Sequence, residues 1–276
     1  MKTFLVVLTV LLILLSCVIA IGYAVSLSVQ AEEFALFLSS VSPSSGKTIK
    51  IVHVSDLHYP DSFLSLQETA ALIKEQAPDV IVFTGDIADG NANEEEISAL
   101  STFFSSLSSL CPCFLVIGNH EIGSKHLDLF LSTAKSGGIR ALLNETVSLT
   151  IKGEELAFLG LSDGYPYEEK TFSPLPNLSG KRKILLTHRP EKFDSYVSAP
   201  EAIRPDLIFA GHAHGGIARL GNVALYAPNQ GLFPRYTSGL YETDGVKMIV
   251  SRGMGVSGAD FRVFNKYHLP VVTLSL

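Results

Sequence analysis

Five times along this chain a short apolar run ends and a small group of Asp, His or Asn residues follows at once. The groups are Ser55-Asp56-Leu57-His58, Thr84-Gly85-Asp86, Ile117-Gly118-Asn119-His120-Glu121, Leu186-Thr187-His188 and Ala210-Gly211-His212-Ala213-His214. The runs before them read as strands over 48–55, 79–84, 113–117, 183–187 and 206–210. Further strands are expected at 146–151, 155–160, 222–226 and 247–251. Helical spacing of apolar residues predicts helices over 63–76, 93–108 and 124–136. Such alternation indicates an α/β architecture with buried sheet strands. Open sheets of this kind place ligand sites at the carboxyl ends of their strands, so all five groups can share one crevice.

The residue types point to metal chemistry. Asp carboxylates, neutral His rings and the Asn amide oxygen are ligands that hard and borderline divalent cations accept. Asp56 and His58, like His212 and His214, are i,i+2 pairs that project to one side of an extended chain. Gly85, Gly118 and Gly211 precede the polar residue in three groups, where glycine permits a sharp turn and close backbone approach. Taken singly, each group has an ordinary reading. Asp-x-His after a strand is often a helix cap, and Gly-Asp is a common turn. Five in order, each at a strand end, favour a metal site.

Residues 4–29 carry no charge, and a helix of that length spans about 30 Å of hydrocarbon. We read them as an uncleaved membrane anchor. The competing readings are a cleaved signal peptide, whose apolar core is shorter, and lipoprotein processing at Leu14-Leu15-Ser16-Cys17. Lys2 precedes the run, Glu32 and Glu33 follow it, and no further basic residue appears before Lys47. That asymmetry places the N-terminus in the cytoplasm and the rest of the chain outside, as a single-pass protein of the cell membrane. The domain expectation is therefore an anchor over 1–30, a Ser-rich linker over 31–47 and one catalytic domain over 48–276.

Net charge is −6 with a pI near 5.7, which argues against nucleic acid as a partner. An acidic protein that handles phosphates must supply positive charge locally, and bound cations would do so. Cys17, Cys111 and Cys113 make no disulfide framework; Cys111 and Cys113 read as small buried hydrophobes. No obligate protein partner is indicated.

The ordered series Asp-x-His, Gly-Asp, Gly-Asn-His-Glu, His, Gly-His-x-His over residues 50–216 resembles the calcineurin-like metallophosphoesterases. The N-terminal apolar segment and Gly231-Leu232-Phe233-Pro234-Arg235-Tyr236 look like the bacterial membrane-associated branch, some members of which cleave the pyrophosphate of UDP-diacylglucosamine. The resemblance implies a four-layer α/β/β/α sandwich of two mixed sheets. It further implies that Asp56, His58 and His214 hold one metal, that Asn119, His188 and His212 hold the other, and that Asp86 bridges them. His120 would meet the substrate phosphate and protonate the leaving oxygen. The implied reaction is hydrolysis of a phosphoester or pyrophosphate bond by a hydroxide shared between two divalent cations, Mn²⁺ first, with Fe or Zn also accommodated. The substrate would be a phosphorylated small molecule or a lipid-linked one. A general cell-surface phosphomonoesterase or protein phosphatase is the alternative, and a non-catalytic metal-binding scaffold a weaker one.

Other residues are placed less tightly. Arg189 and Arg235 are candidates to pair with a substrate phosphate, or equally to face solvent. Asp89 and Glu121 are expected to orient ligands or cap turns, Asp163 to sit in a turn, and His53 to be structural. His126 and His268 read as ordinary histidines, and Glu94-Glu95-Glu96 as the first turn of a helix.

Overall fold

The computed structural model describes residues 1–38, 46–256 and 261–275. Helix α1 (Lys2–Ser26) leads directly into β1 (Val29–Phe37). A βα run follows: β2 (Thr48–Val54), α2 (Leu66–Glu75), β3 (Val80–Thr84), α3 (Glu94–Ser108) and β4 (Cys113–Val116). Next come α4 (Asn119–Gly123), α5 (Leu127–Ser136) and β5 (Arg140–Ala141). The second half contains β6 (Thr146–Ile151), β7 (Glu154–Gly160), β8 (Arg182–Leu186), α6 (Phe193–Val197) and β9 (Leu207–Ala210). Four two-residue strands come next: β10 (Arg219–Leu220), β11 (Val223–Ala224), β12 (Tyr226–Ala227) and β13 (Gly231–Leu232). The chain closes with β14 (Gly239–Thr243), β15 (Val246–Val250) and β16 (Tyr267–Ser275).

Local chemistry sets the helix starts. Ser65 caps α2 and Asn93 caps α3, each reciprocated by the glutamate three residues on, Glu68 and Glu96. The three glutamates at 94–96 do occupy the first turn of α3.

Two six-stranded mixed sheets result. The first runs β1-β16-β2-β3-β4-β5, and the second β14-β15-β9-β8-β7-β6. Alternate residues of each strand enter different cores. Val52, Val54, Ile81, Phe83 and Leu115 pack under α2, α3 and α5. Ile49, Ile51, Val82, Phe114 and Val116 meet Phe158, Ile184, Leu186 and Phe209 between the sheets. Ala157, Leu185, Ile208 and Met248 face outward beneath Phe193 and Tyr196 of α6. This is the four-layer α/β/β/α sandwich. Each fully buried Leu, Ile, Val or Phe contributes about 1.5–3 kcal/mol, so the double-faced strands carry most of the stability.

The expected strands at 48–55, 79–84, 113–117, 146–151, 155–160, 183–187, 206–210 and 247–251 match β2, β3, β4, β6, β7, β8, β9 and β15 within a residue or two. Residues 222–226 do not form one strand; they divide between the two small hairpins, β10–β11 and β12–β13. The beginning of the expected linker differs more. Residues 29–37 form β1, which pairs in parallel with β16 over its whole length, Val29 opposite Tyr267 through Phe37 opposite Ser275. The ladder needs only backbone groups, and Leu36 and Leu38 join the core between the sheets. Residues 39–45 of that linker lie outside the described residues.

Candidate metal centre

β2, β3 and β4 of the first sheet and β8 and β9 of the second all end at one edge of the sandwich. The loops beyond them lock together through backbone bonds. The Asp56 N–H donates to Gly85 O (3.0 Å) and the His58 N–H to Asp86 O (2.9 Å). Across the sheets, the His212 N–H reaches both carboxylate oxygens of Asp56, at 2.9 and 3.1 Å. Asp56, His58, Asp86, His212 and His214 all stand at φ between 47° and 65°, the left-handed region that non-glycine residues rarely adopt. Such positions cost about 1–3 kcal/mol each and persist where surrounding structure over-determines them. A Cβ at Gly118 would collide with Asp86, and one at Gly211 with Ser55 and Asp56, which explains the glycine before each polar group.

Two triads of possible ligand atoms converge there, Asp56-His58-His214 and Asp86-His188-His212, and a third, His58-Asp89-His120, shares His58 with the first. In the first, His58 Nε2 and His214 Nε2 are 3.2 Å apart, and His214 Nε2 is 3.4 Å from Asp56 Oδ1. In the second, His188 Nε2 lies 3.1 Å from Asp86 Oδ2, 3.1 Å from His212 Nδ1 and 3.2 Å from Asn119 Oδ1. Asp86 Oδ2 also lies 3.8 Å from His58 Nε2, so one carboxylate oxygen faces both triads. Its other oxygen accepts the His120 N–H at 2.8 Å.

This donor set fits cations. His188 Nδ1 donates to Thr84 O at 2.8 Å, which turns the lone pair of Nε2 toward Asp86, Asn119 and His212. Carboxylate and amide oxygens crowd that lone pair, an arrangement that repels itself unless positive charge lies between. Two ligands about 2.1 Å from one cation sit about 3.0–3.4 Å apart, the spacing seen. The electrostatics agree. Burial pulls the His188 ring down, yet the Asp86 carboxylate overrides it and pushes the ring up to about 10, so the pocket attracts positive charge, and a ligating His188 must give up its Nε2 proton to the cation. His212 is brought down to about 3 by burial, then by His188 and Arg189, and so remains neutral, the ligating form.

Support comes from residues behind the triads. Glu121 is buried and accepts four backbone N–H groups, from Asp86, Ile87, Ala88 and Gly118, at 2.6–3.1 Å. It thereby clamps the loop that carries Asp86 to the one that carries Asn119. Burial and then Asp86 push its carboxyl up to about 7, against those four bonds. Asp89 stands between a turn and two of the histidines. Oδ1 caps the turn at Asn91 (2.9 Å), while Oδ2 lies 3.0 Å from His120 Nδ1 and 3.5 Å from His58 Nδ1. His53 is buried between the sheets, edge-on to Phe209. It begins a hydrogen-bonded chain through Thr84 Oγ1 (2.7 Å) and Ser55 Oγ (2.8 Å) to Asp56 Oδ2 (2.6 Å).

The two candidate arginines separate. Arg189 sits beside the second triad, with Nη1 2.7 Å from His212 Nε2. A bidentate pair with Asp163, at 2.5 and 2.6 Å, fixes it there, so Asp163 does more than shape a turn. Arg235 faces solvent, 69% exposed, against Asp194 and the ring of Tyr236, and its contacts do not include the triads. Among residues not singled out from sequence, Asn229 brings its amide within 2.8 Å of His212 Nε2, and Asn265 donates to His214 O at 2.8 Å. Pro228-Asn229-Gln230 carried a turn signal; nothing local marked Asn265. His268 is a buried core histidine, its Nε2 3.1 Å from Glu32 of β1.

A two-sheet sandwich with paired Asp/His triads at one sheet edge defines a metallophosphoesterase. Residues 49–216 match the calcineurin-like phosphoesterase family, and the chain belongs to it. It is 31% identical to the metallophosphoesterase YkuE of Bacillus subtilis over 86% of this chain and 82% of that protein. It is 30% identical to the phosphodiesterase YaeI of Escherichia coli, over 81% of this chain and 80% of that one. A more distant relative, 25% identical over 60% of this chain and 64% of its own length, is the UDP-2,3-diacylglucosamine pyrophosphatase LpxG of Chlamydia muridarum. The chain is thus a hydrolase of a family that binds a pair of divalent metals.

Proposed function

We propose that the chain hydrolyses phosphodiester or pyrophosphate bonds in this crevice with two divalent cations. Asp56, His58 and His214 would hold one, Asn119, His188 and His212 the other, and Asp86 would serve both. The observation that carries the reading is Asp86 Oδ2, which faces both triads. Bound there, the cations stabilise charge on the phosphoryl oxygens and lower the pKa of water.

The chain's own residues orient the rest. His120 lies at the mouth with its ring edge-on to His58 and its backbone tied to Asp86, placed to meet the phosphate and give a proton to the leaving oxygen. Arg189, held by Asp163, adds fixed positive charge beside His212. Asn119 supplies an oxygen without a charge, which limits the negative field a phosphate must enter. Mixed Asp, Asn and His ligation accommodates Mn²⁺, Fe or Zn, and Mn²⁺ is the first to try.

The names of the relatives support a diester or pyrophosphate over a monoester. A lipid-linked substrate such as UDP-diacylglucosamine is favoured by LpxG and by α1, which is long and apolar enough to cross a membrane. Read as an uncleaved span, α1 makes the chain a single-pass membrane protein with its body outside the cytoplasm. All seven ligand positions carry a metal-binding side chain, which speaks against a non-catalytic scaffold.

The test is hydrolysis of bis(p-nitrophenyl) phosphate and p-nitrophenyl phosphate by the full chain with Mn²⁺. The diester should turn over faster, Asp86→Asn should abolish hydrolysis with less than two metals retained per chain, and His120→Asn should lower kcat about 10²-fold with metal retained. A faster monoester reaction would favour the phosphomonoesterase reading. Full activity in both variants would sink the dimetal mechanism.

A further inference from the structure

Where α1 meets the body, a second cleft opens that has no share in the metal centre. Among the described residues of α1, only Gly22 and Ser26 are buried. A Cβ at Gly22 would strike Phe264, at 2.7 Å, and Val263. The Phe264 N–H donates to Gly22 O (2.9 Å), and the Asn265 N–H to Ser26 Oγ (2.8 Å). The two small residues, one helical turn apart, thus let the body grip the end of the helix directly. The stretch 2–21 stands free of the body, 20 residues or about 30 Å at 1.5 Å per residue, the thickness of a hydrocarbon layer. If that stretch spans, as proposed above, everything packed around residues 22–26 lies at the membrane surface.

A cleft of about 830 Å³ sits at that level. Val25 of α1, Phe264 and Leu220 form its apolar side, and Leu220 is 78% exposed. Arg219, Arg235, Arg252 and Lys266 line it, and among the described residues Glu32 is its only acid. That is an excess of cations in a chain of net charge −6. Arg252 is occupied with structure: it bonds Gln30 Oε1, Ser238 Oγ and Lys266 O at 2.9–3.1 Å and pairs with Glu32 at 3.5 Å. Among the described residues, the Lys266 ammonium has no ion-pair partner, and Arg235 keeps only its 3.6 Å contact with Asp194 and its stack on Tyr236. Arg219 points its guanidinium along the wall, bonded to carbonyls of Gly215 and Asn222 and to Thr237.

We propose that this cleft binds the anionic headgroup of a bilayer phospholipid, with the acyl chains lying along α1 beside Val25 and Phe264. Charge complementarity and the depth set by α1 select a lipid in place, since the cleft opens beside the helix where headgroups stand. The site takes no part in hydrolysis; it seats the body on the surface at a fixed tilt.

The experiment is native mass spectrometry of the full chain released from nanodiscs of equal phosphatidylglycerol and phosphatidylcholine. Wild type should retain phosphatidylglycerol at least fivefold over phosphatidylcholine. Lys266→Gln with Arg235→Gln, which removes one half-buried and one exposed charge and no buried hydrogen bond, should bring that preference close to parity, since each cation near the surface is worth about fivefold. Lys74→Gln on α2 serves as the control for net charge and should leave it unchanged. Equal retention of both lipids, or an unaltered preference in the double variant, would overturn the proposal. A chain that washes out of the bilayer at alkaline pH would instead refute the span reading on which it rests.

Discussion

At the scale of single residues, the centre joins candidate ligands visible in the sequence to supports that were not. The candidates Asp56, His58, Asp86, Asn119, His188, His212 and His214 stood out in the sequence because metal ligation demands particular side chains and each lies next to a recognisable strand; the structure brings them together at one sheet edge. Their supports are contacts between distant segments: Thr84 O with His188, Asp163 with Arg189, Asn265 with His214. No local pattern records such a pairing. The left-handed backbone at five of the candidate ligands was equally hidden, since Asp and His give only weak turn signals. Glu121 offers the sharpest test of this supporting layer. Glutamine there would turn an amide N–H₂ toward N–H groups that now donate to a carboxylate. Glu121→Gln should weaken metal affinity about 10–100-fold without removing a ligand, measured by calorimetric titration of the metal-stripped chain. Unchanged affinity would show that the loops hold themselves.

At the scale of elements, the strands buried on both faces were the easy ones, because they read as unbroken apolar runs. β1 and β16 were missed for different reasons. β1 follows an apolar helix and carries Glu32 and Glu33, as edge strands often do. β16 contains Pro270, which argues against a strand in the middle of a sheet. The structure accommodates it because the ladder to β2 begins one residue later, at Val271 opposite Val52. Truncation separates the two readings of the N-terminal region. A chain lacking 1–27 retains β1, whereas one lacking 1–47 loses Phe34, Leu36 and Leu38 from the core between the sheets. At about 1.5–3 kcal/mol per side chain, the shorter fragment should melt about 10 °C or more below the longer one by circular dichroism. Equal melting temperatures would restore 31–47 to the status of a linker.

For the molecule as a whole, α1 is held to the sandwich at Gly22 and Ser26, and on the proposal that it spans a membrane the charges on either side give it a direction. With Lys2 before the run and no basic residue after it until Lys47, a C-terminal alkaline phosphatase fusion should be active and a green fluorescent fusion dark in an exporting host. The reverse pattern would place the body in the cytoplasm. The parallel ladder between β1 and β16 bears on how such a chain is made. Val29 meets a partner 238 residues further along, so the first of the described strands to be made cannot be paired until all the others have been synthesised. Its neighbour cannot be supplied early, and closure of the first sheet becomes a late event in biogenesis. Export as an unfolded thread is then compatible with the fold, because the sandwich has no complete edge to its first sheet until the final strand arrives.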